Sequence, residues 1–277
     1  MAVDLHYRTY GAPIYKTHPL IIAHGLFGSH TNWHRIAKSL CTKHQVYCVD
    51  LRNHGASPHH DRMDYPALSG DVYHLIQNVI GKPVIILGHS MGGKTAMHLA
   101  LTQPNWVVKL IVVDVAPTTT NDDPLTYIRI MQSLNFSVVM NRSDADIQLR
   151  QKIEDPVIRQ FLLQNLRIIN GRFQWRINLN AIYKHIDDLT SFDKSCDDLT
   201  YPFPALFLRG AWSNYITDKH EKLIKSYSFT EKQTKAILDM RLQKLTSLET
   251  DKLIEEFNEL QKQIVDYKEI LENYNVQ

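Results

Sequence analysis

The sequence predicts an α/β fold: a mostly parallel β-sheet covered by helices, with a helical cap inserted late in the chain. Two observations predict the sheet. Several short apolar runs show no alternation with polar residues, so both faces of each strand are expected to be buried. These runs alternate with stretches of helical period, the β-α-β order of right-handed parallel crossovers. A third observation predicts the cap: residues 121–192 carry helical pattern alone.

The expected strands are Leu20–His24, Gln45–Asp50, Pro83–Gly88 and Leu110–Asp114. Between them, helices are expected at Trp33–Leu40, Tyr65–Ile80 and Met91–Thr102. The cap is read as four helices: Leu125–Leu134, Asp144–Glu154, Asp155–Leu166 and Leu179–Asp188. One further strand, Ala205–Arg209, follows and ends at Gly210. The β pattern then stops near residue 226, so the sheet is expected to be truncated at its last strand. Thr230 with Gln233, and Thr246 with Glu249, are capping-box starts. Leu253, Phe257, Leu260, Ile264, Tyr267 and Leu271 recur at spacings of 4 and 3, a short coiled-coil seam. The division read from these patterns is 1–120 for the core, 121–200 for the cap, 201–226 for the end of the core and 227–277 for a helical tail.

Composition bounds the function. The hydrophobic fraction is 44%, the charged fraction 22% and the formal net charge +2, so no strong field points to nucleic acid or an anionic membrane. The three cysteines form no CxxC pair, and an odd number argues against a disulfide framework. The first residues lack a basic stretch followed by an apolar one, and no run is apolar over ~18 residues, so a cytoplasmic protein is expected.

The chemistry is concentrated at Gly88-His89-Ser90-Met91-Gly92, a G-x-S-x-G motif between an apolar strand and a helix. In that setting the turn lifts the serine hydroxyl above the sheet, with a helix N-terminus beneath it to favour developing negative charge. Ser90 is therefore the expected nucleophile. His24-Gly25-Leu26-Phe27-Gly28 follows an earlier strand and is placed to supply one backbone N–H to an oxyanion, Leu26 first and Phe27 second. The other donor is the N–H of Met91, next after the nucleophile. His24 is read as holding the loop.

An acyl-transfer serine also needs a base and a group that orients the base. In this strand-turn-helix architecture the chain order is Ser, then Asp or Glu, then His. Asp114 closes an apolar strand beside that of the nucleophile, where an unpaired carboxylate would be costly, and is the expected acid. Only His185 and His220 lie beyond it, and neither follows a further strand. Asp50-Leu51-Arg52-Asn53-His54-Gly55-Ala56-Ser57 reads as a structural loop at the same edge. The acidic pairs Asp122-Asp123, Asp187-Asp188 and Asp197-Asp198 read as caps and solvated faces. No metal site and no cofactor are expected.

The segments His24–Ser29, Asp50–Gly55, Gly88–Lys94 and Val113–Pro117, with Trp175–Leu179 and the stretch from Arg209 to Tyr215, resemble the YbfF-type esterases of the α/β-hydrolase superfamily. The resemblance covers about residues 3–226. It implies the α/β-hydrolase fold, Ser90 as nucleophile, Asp114 as acid, and a base from a C-terminal Gly-His-Trp segment that this chain lacks. The tail from Phe229 through Glu249 and onward resembles the helical dimer-gate region of the DNA gyrase A protein, without the tyrosine that attacks DNA. The expectation is a serine ester hydrolase acting on small acyl esters or thioesters, impaired by the missing histidine. The alternative is a non-catalytic chimera whose C-terminal helices form a homodimer.

Overall fold

A computed structural model describes residues 1–120, 123–210, 216 and 218–227, with the backbone of 237–238. Its centre is a seven-stranded sheet. The strands are β1 (Tyr7–Tyr10), β2 (Leu20–Ala23), β3 (Val46–Val49), β4 (Val84–His89), β5 (Val107–Val113), β8 (Ala205–Gly210) and β9 (Ile237–Leu238), in the order β1-β3-β2-β4-β5-β8-β9. All neighbours are parallel except β1, which pairs antiparallel with β3. β2 and β3 are buried at every position, as strands covered on both faces must be.

Helices α1 (His34–Leu40), α2 (Tyr65–Leu75) and α3 (Met91–Thr102) connect these strands. Helix α2 runs on as a π-helical turn over Ile76–Ile80, within the expected helix. Every residue from Met91 to Leu101 is buried. The small residues Gly92, Gly93, Ala96 and Ala100 let α3 lie close against β4 and β5.

The cap stands between β5 and β8. It comprises α4 (Pro124–Gln132), α5 (Arg142–Arg150), α6 (Pro156–Leu163), α7 (Leu179–Lys184) and α8 (Ile186–Thr190). Asp123, Asn141, Asp155 and Asn178 cap α4 to α7, each accepting from a first-turn N–H. The cap is not all-helical. Leu166–Ile169 (β6) and Arg172–Trp175 (β7) form an antiparallel hairpin across an Asn170-Gly171 turn. Both turn residues have positive φ, 51° and 75°, the two-residue geometry that suits strand twist. The helix expected at Asp155–Leu166 therefore ends at Leu163.

Three donors converge on the end of α8. Tyr65 Oη donates to Leu189 O at 2.6 Å, Lys94 Nζ to Thr190 O and Ser191 O at 2.7 and 2.8 Å, and Thr120 N–H to Thr190 O at 2.8 Å. The end of the cap is thus fastened to the helix that follows Ser90.

Two further features depart from the sequence reading. β1 has no apolar run to announce it, being a half-exposed edge strand. Ile237–Leu238, within the expected tail helix, pairs in parallel with Arg209–Gly210 and covers the end of β8. The capping boxes and the heptad seam lie outside the described residues. Among the described residues no helix is long and apolar enough to cross a membrane.

Candidate active site

Ser90 occupies a sharp turn between β4 and α3, with φ 49° and ψ −117°. A non-glycine residue there is strained, at a cost of about 1–3 kcal/mol that the surroundings must offset. The flanking glycines explain why the turn closes. A Cβ on Gly88 would overlap the Gly92 carbonyl, and one on Gly92 would stand 2.5 Å from the carbonyl oxygens of both Ala23 and His24. The turn is a crossing of three backbones with no room for side chains. Ser90 itself is only half-buried.

Asp114 is brought to the same edge by strand register. His89 pairs with Val113, and Ser90 N–H donates to Val113 O at 3.1 Å. Ser90 and Asp114 each follow one member of that pair. Asp114 also has positive φ, 56°, and is 6% exposed. Its backbone N–H donates to Leu208 O at 2.8 Å, and its Oδ1 accepts a long bond of 3.4 Å from Gly210 N–H.

The loop after β2 faces this turn. Gly25 O accepts from Gly28 N–H at 3.0 Å and from His24 Nδ1 at 2.8 Å. His24 Nε2 accepts from Leu51 N–H at 3.0 Å, so His24 is a neutral imidazole protonated on Nδ1 that holds the loop. Burial lowers its pKa. Of the two loop donors expected from sequence, Phe27 is already engaged: its N–H donates to His54 Nε2 at 3.2 Å. The N–H of Leu26 has no acceptor among the described residues. Met91 is the first residue of α3, so its N–H precedes the intrahelical bonds.

His54 is the residue that motif reading leaves without a job. Its Nδ1 donates to Arg52 O at 3.0 Å, which leaves Nε2 as the acceptor for Phe27. Burial, with the neighbouring His24 next, pushes its pKa down to about 3. His89, beside Ser90, is lowered to about 4 by burial and then by His24. His185 Nδ1 is spent on Asp188 Oδ2 at 2.8 Å, and His220 lies in α9 (Asp218–Ser226).

Asp50 organises the adjoining loop. It accepts from His30 N–H at 2.7 Å, Ala56 N–H at 2.9 Å, the Nδ1 atoms of His6 and His30, and Arg176 at 3.4 Å. Burial alone would raise its pKa, but the bonds from His30 and Ala56 outweigh burial and hold the carboxyl well below its usual range. His6, His30 and Asp50 are the one group among the described residues with metal-ligand spacing, all ligand atoms lying within 4.8 Å. The carboxylate is already filled and faces a guanidinium, so the donor set serves the fold. Cys48 and Cys196 are pushed up to about 12 and about 11 by burial, so neither is a thiolate nucleophile at neutral pH. Of the acidic pairs, Asp123 caps α4 and Asp197 accepts from Tyr227 Oη.

The alpha/beta hydrolase fold family matches residues 18–151, which hold the Ser90 turn, the 25–28 loop and Asp114. The sn-1-specific diacylglycerol lipase ABHD11 of Xenopus laevis is 43% identical over 228 residues, 79% of this chain and 72% of that protein. The chain belongs to the alpha/beta hydrolase family. Esterase YbfF of Escherichia coli is 30% identical over 206 residues, 73% of this chain and 77% of its own length. A solved marine microorganism esterase superposes with a TM-score of 0.77 at 39% identity, covering 82% of this chain and 88% of that one. This alpha/beta hydrolase is thus a relative of esterases and lipases. A second family, that of the DNA gyrase/topoisomerase IV A proteins, matches residues 104–277. That match overlaps β5 and β8, which here are strands of the hydrolase sheet.

Proposed function

We propose that the chain is a serine ester hydrolase in which Ser90 attacks the carbonyl of an acyl ester or thioester and forms an acyl-enzyme. The N–H groups of Met91 and Leu26 would hold the oxyanion, and Asp114 is the acid of the constellation. The observation that carries this reading is the strained Ser90 turn in register with Asp114. The names of the relatives favour a substrate with an apolar acyl chain, such as an acylglycerol. This 277-residue chain has no histidine after His220, so Ser90 would act without its usual base. Removing the base of a comparable site lowers turnover on the order of 10⁶-fold. Hydrolysis of p-nitrophenyl acetate, compared with Ser90→Ala, tests the reading. Slow turnover that Ser90→Ala abolishes is expected. A rate unaffected by Ser90→Ala would refute the nucleophile.

The match of residues 104–277 to the gyrase A proteins favours a second role for part of the chain. We infer a division at 1–120, 121–200, 201–226 and 227–277, with the last segment promoting self-association. Sedimentation at micromolar concentration should show a dimer that deletion of 241–277 converts to monomer; a monomer in both cases would exclude this role.

A further inference from the structure

We propose that Asn165, a cap residue, is a positioning residue for the oxyanion donor Leu26, acting through two peptide groups of the 25–28 loop, Phe27–Gly28 and Gly25–Leu26, that one hydrogen bond links. The inference rests on the Ser90 reading above and adds to it a residue of the cap that no catalytic motif contains.

Asn165 follows α6 at the root of the β6–β7 hairpin and is 3% exposed. Its backbone is fixed at both ends: its N–H donates to Leu162 O at 3.0 Å and its carbonyl accepts from Arg176 N–H at 2.7 Å. Its side-chain Nδ2 donates to Phe27 O at 2.8 Å, with a second, longer bond of 3.3 Å to Leu162 O. An apolar residue would pack this boundary without the cost of burying an amide. The amide is matched instead to one carbonyl, 138 residues away in the chain.

That carbonyl is the first link. Phe27 C=O and Gly28 N–H belong to one planar peptide, so a bond to the first sets the direction of the second. Gly28 N–H donates to Gly25 O. Gly25 C=O and Leu26 N–H are in turn the two ends of another peptide. In a trans peptide they point in opposite directions, so fixing Gly25 O aims Leu26 N–H away from His24 and Gly28. Between the two peptides lie Leu26 and Phe27, the latter at φ 62°, a conformation that relaxes unless both sides are held. His54 holds its N–H from the core and Asn165 holds its C=O from the cap. The aim of the oxyanion donor therefore depends on the seated cap as well as on His24, whose Nδ1 also donates to Gly25 O at 2.8 Å.

Equilibrium binding of phenylboronic acid to the full chain tests this. The boronate forms a reversible tetrahedral adduct on a serine hydroxyl and places an oxygen where the oxyanion would form. Being an equilibrium reading, it does not depend on how fast the serine loses its proton. Ser90→Ala should abolish binding. Asn165→Ala and Asn165→Asp should each weaken it about tenfold, the effect of one misaligned hydrogen bond. The Asn165→Asp deficit relative to the unmodified chain should close as pH falls and the carboxyl, once protonated, regains a donor. A residue that only packs the cap would lower the melting temperature and leave boronate affinity of the folded protein unchanged; that result overturns the inference. Should Asn165→Ala not fold, Asn165→Asp carries the comparison. If the unmodified chain and Ser90→Ala bind alike, the Ser90 reading fails, and hydrogen exchange at Leu26 and Gly28 decides this one. Faster exchange in the Asn165 variants supports the hold, and unchanged exchange refutes it.

Discussion

The Ser90 turn and the 25–28 loop face each other at one edge of the sheet, yet they are held in place by different means. The turn is shaped by its own neighbours: two glycines at a crossing of backbones and a helix that begins at once. The loop has one local support, His24, and is otherwise shaped from elsewhere, by His54 across the sheet edge and by Asn165 from the cap. A local device tolerates change around it and fails when its own residues change. A borrowed device should weaken with each remote support and with conditions that alter those supports.

Several measurements sharpen or break this contrast. The largest effect is expected inside the turn. Gly92→Ala forces a Cβ against two carbonyl oxygens that belong to β2 and its loop, and should destabilise the fold by about 3 kcal/mol or more in urea unfolding. A loss under about 1 kcal/mol would mean that the crossing is looser than the backbone shows.

His54→Ala removes the acceptor of a buried N–H and should cost about 1–3 kcal/mol. The same histidine gives the loop a pH dependence, as His89, lowered to about 4 by burial, gives one to the turn. His54 is neutral in the folded protein, with its pKa pushed down to about 3, whereas an unfolded histidine titrates near 6.5. Between those values the unfolded chain binds a proton that the folded chain refuses. Stability is therefore present above about pH 6.5 and falls on acidification, by about 1.4 kcal/mol per pH unit for each such histidine. Urea midpoints measured down this range should fall less steeply in His54→Ala. Equal slopes in both proteins would remove His54 as the acid-sensitive support.

The smallest effect is expected at the hairpin turn, where Asn170→Ala loses a side chain tolerant of positive φ and should cost about 1 kcal/mol in thermal or urea unfolding. An effect as large as that at Gly92 would show that the hairpin, and through it Asn165, is as central to the fold as the turn.

The same contrast explains what can be read from the sequence. The strands β2 to β4 and β8, helix α3 and the Ser90 turn are each announced by a contiguous run and are legible within a residue or two, whereas β5 begins three residues before its expected start, at Val107. Asn170-Gly171 is also a contiguous signal, a two-residue hairpin between β-branched and aromatic residues, and the helical pattern of the surrounding cap masks it. His54 and Asn165 have no such signal. Their roles depend on bonds to residues 27 and 138 positions away, which no spacing rule reaches. The same holds for Lys94, a buried amine on the helix that follows Ser90, whose acceptors lie at the end of the cap. The sequence reading places Leu26 first and Phe27 second within one motif; the bond from Phe27 N–H to His54 is what separates them physically.

The central claim is a serine nucleophile set up for acyl transfer but working without a base of its own. Its most direct test is chemical rescue: p-nitrophenyl acetate hydrolysis by the full chain with and without added imidazole, after subtracting the rate with Ser90→Ala under the same conditions. A small Ser90-dependent rate that rises with imidazole concentration is predicted, since a diffusing base can take the proton for which the proposal has no acceptor residue. Fast Ser90-dependent turnover that imidazole leaves unchanged, or no Ser90-dependent rate at any imidazole concentration, would contradict it.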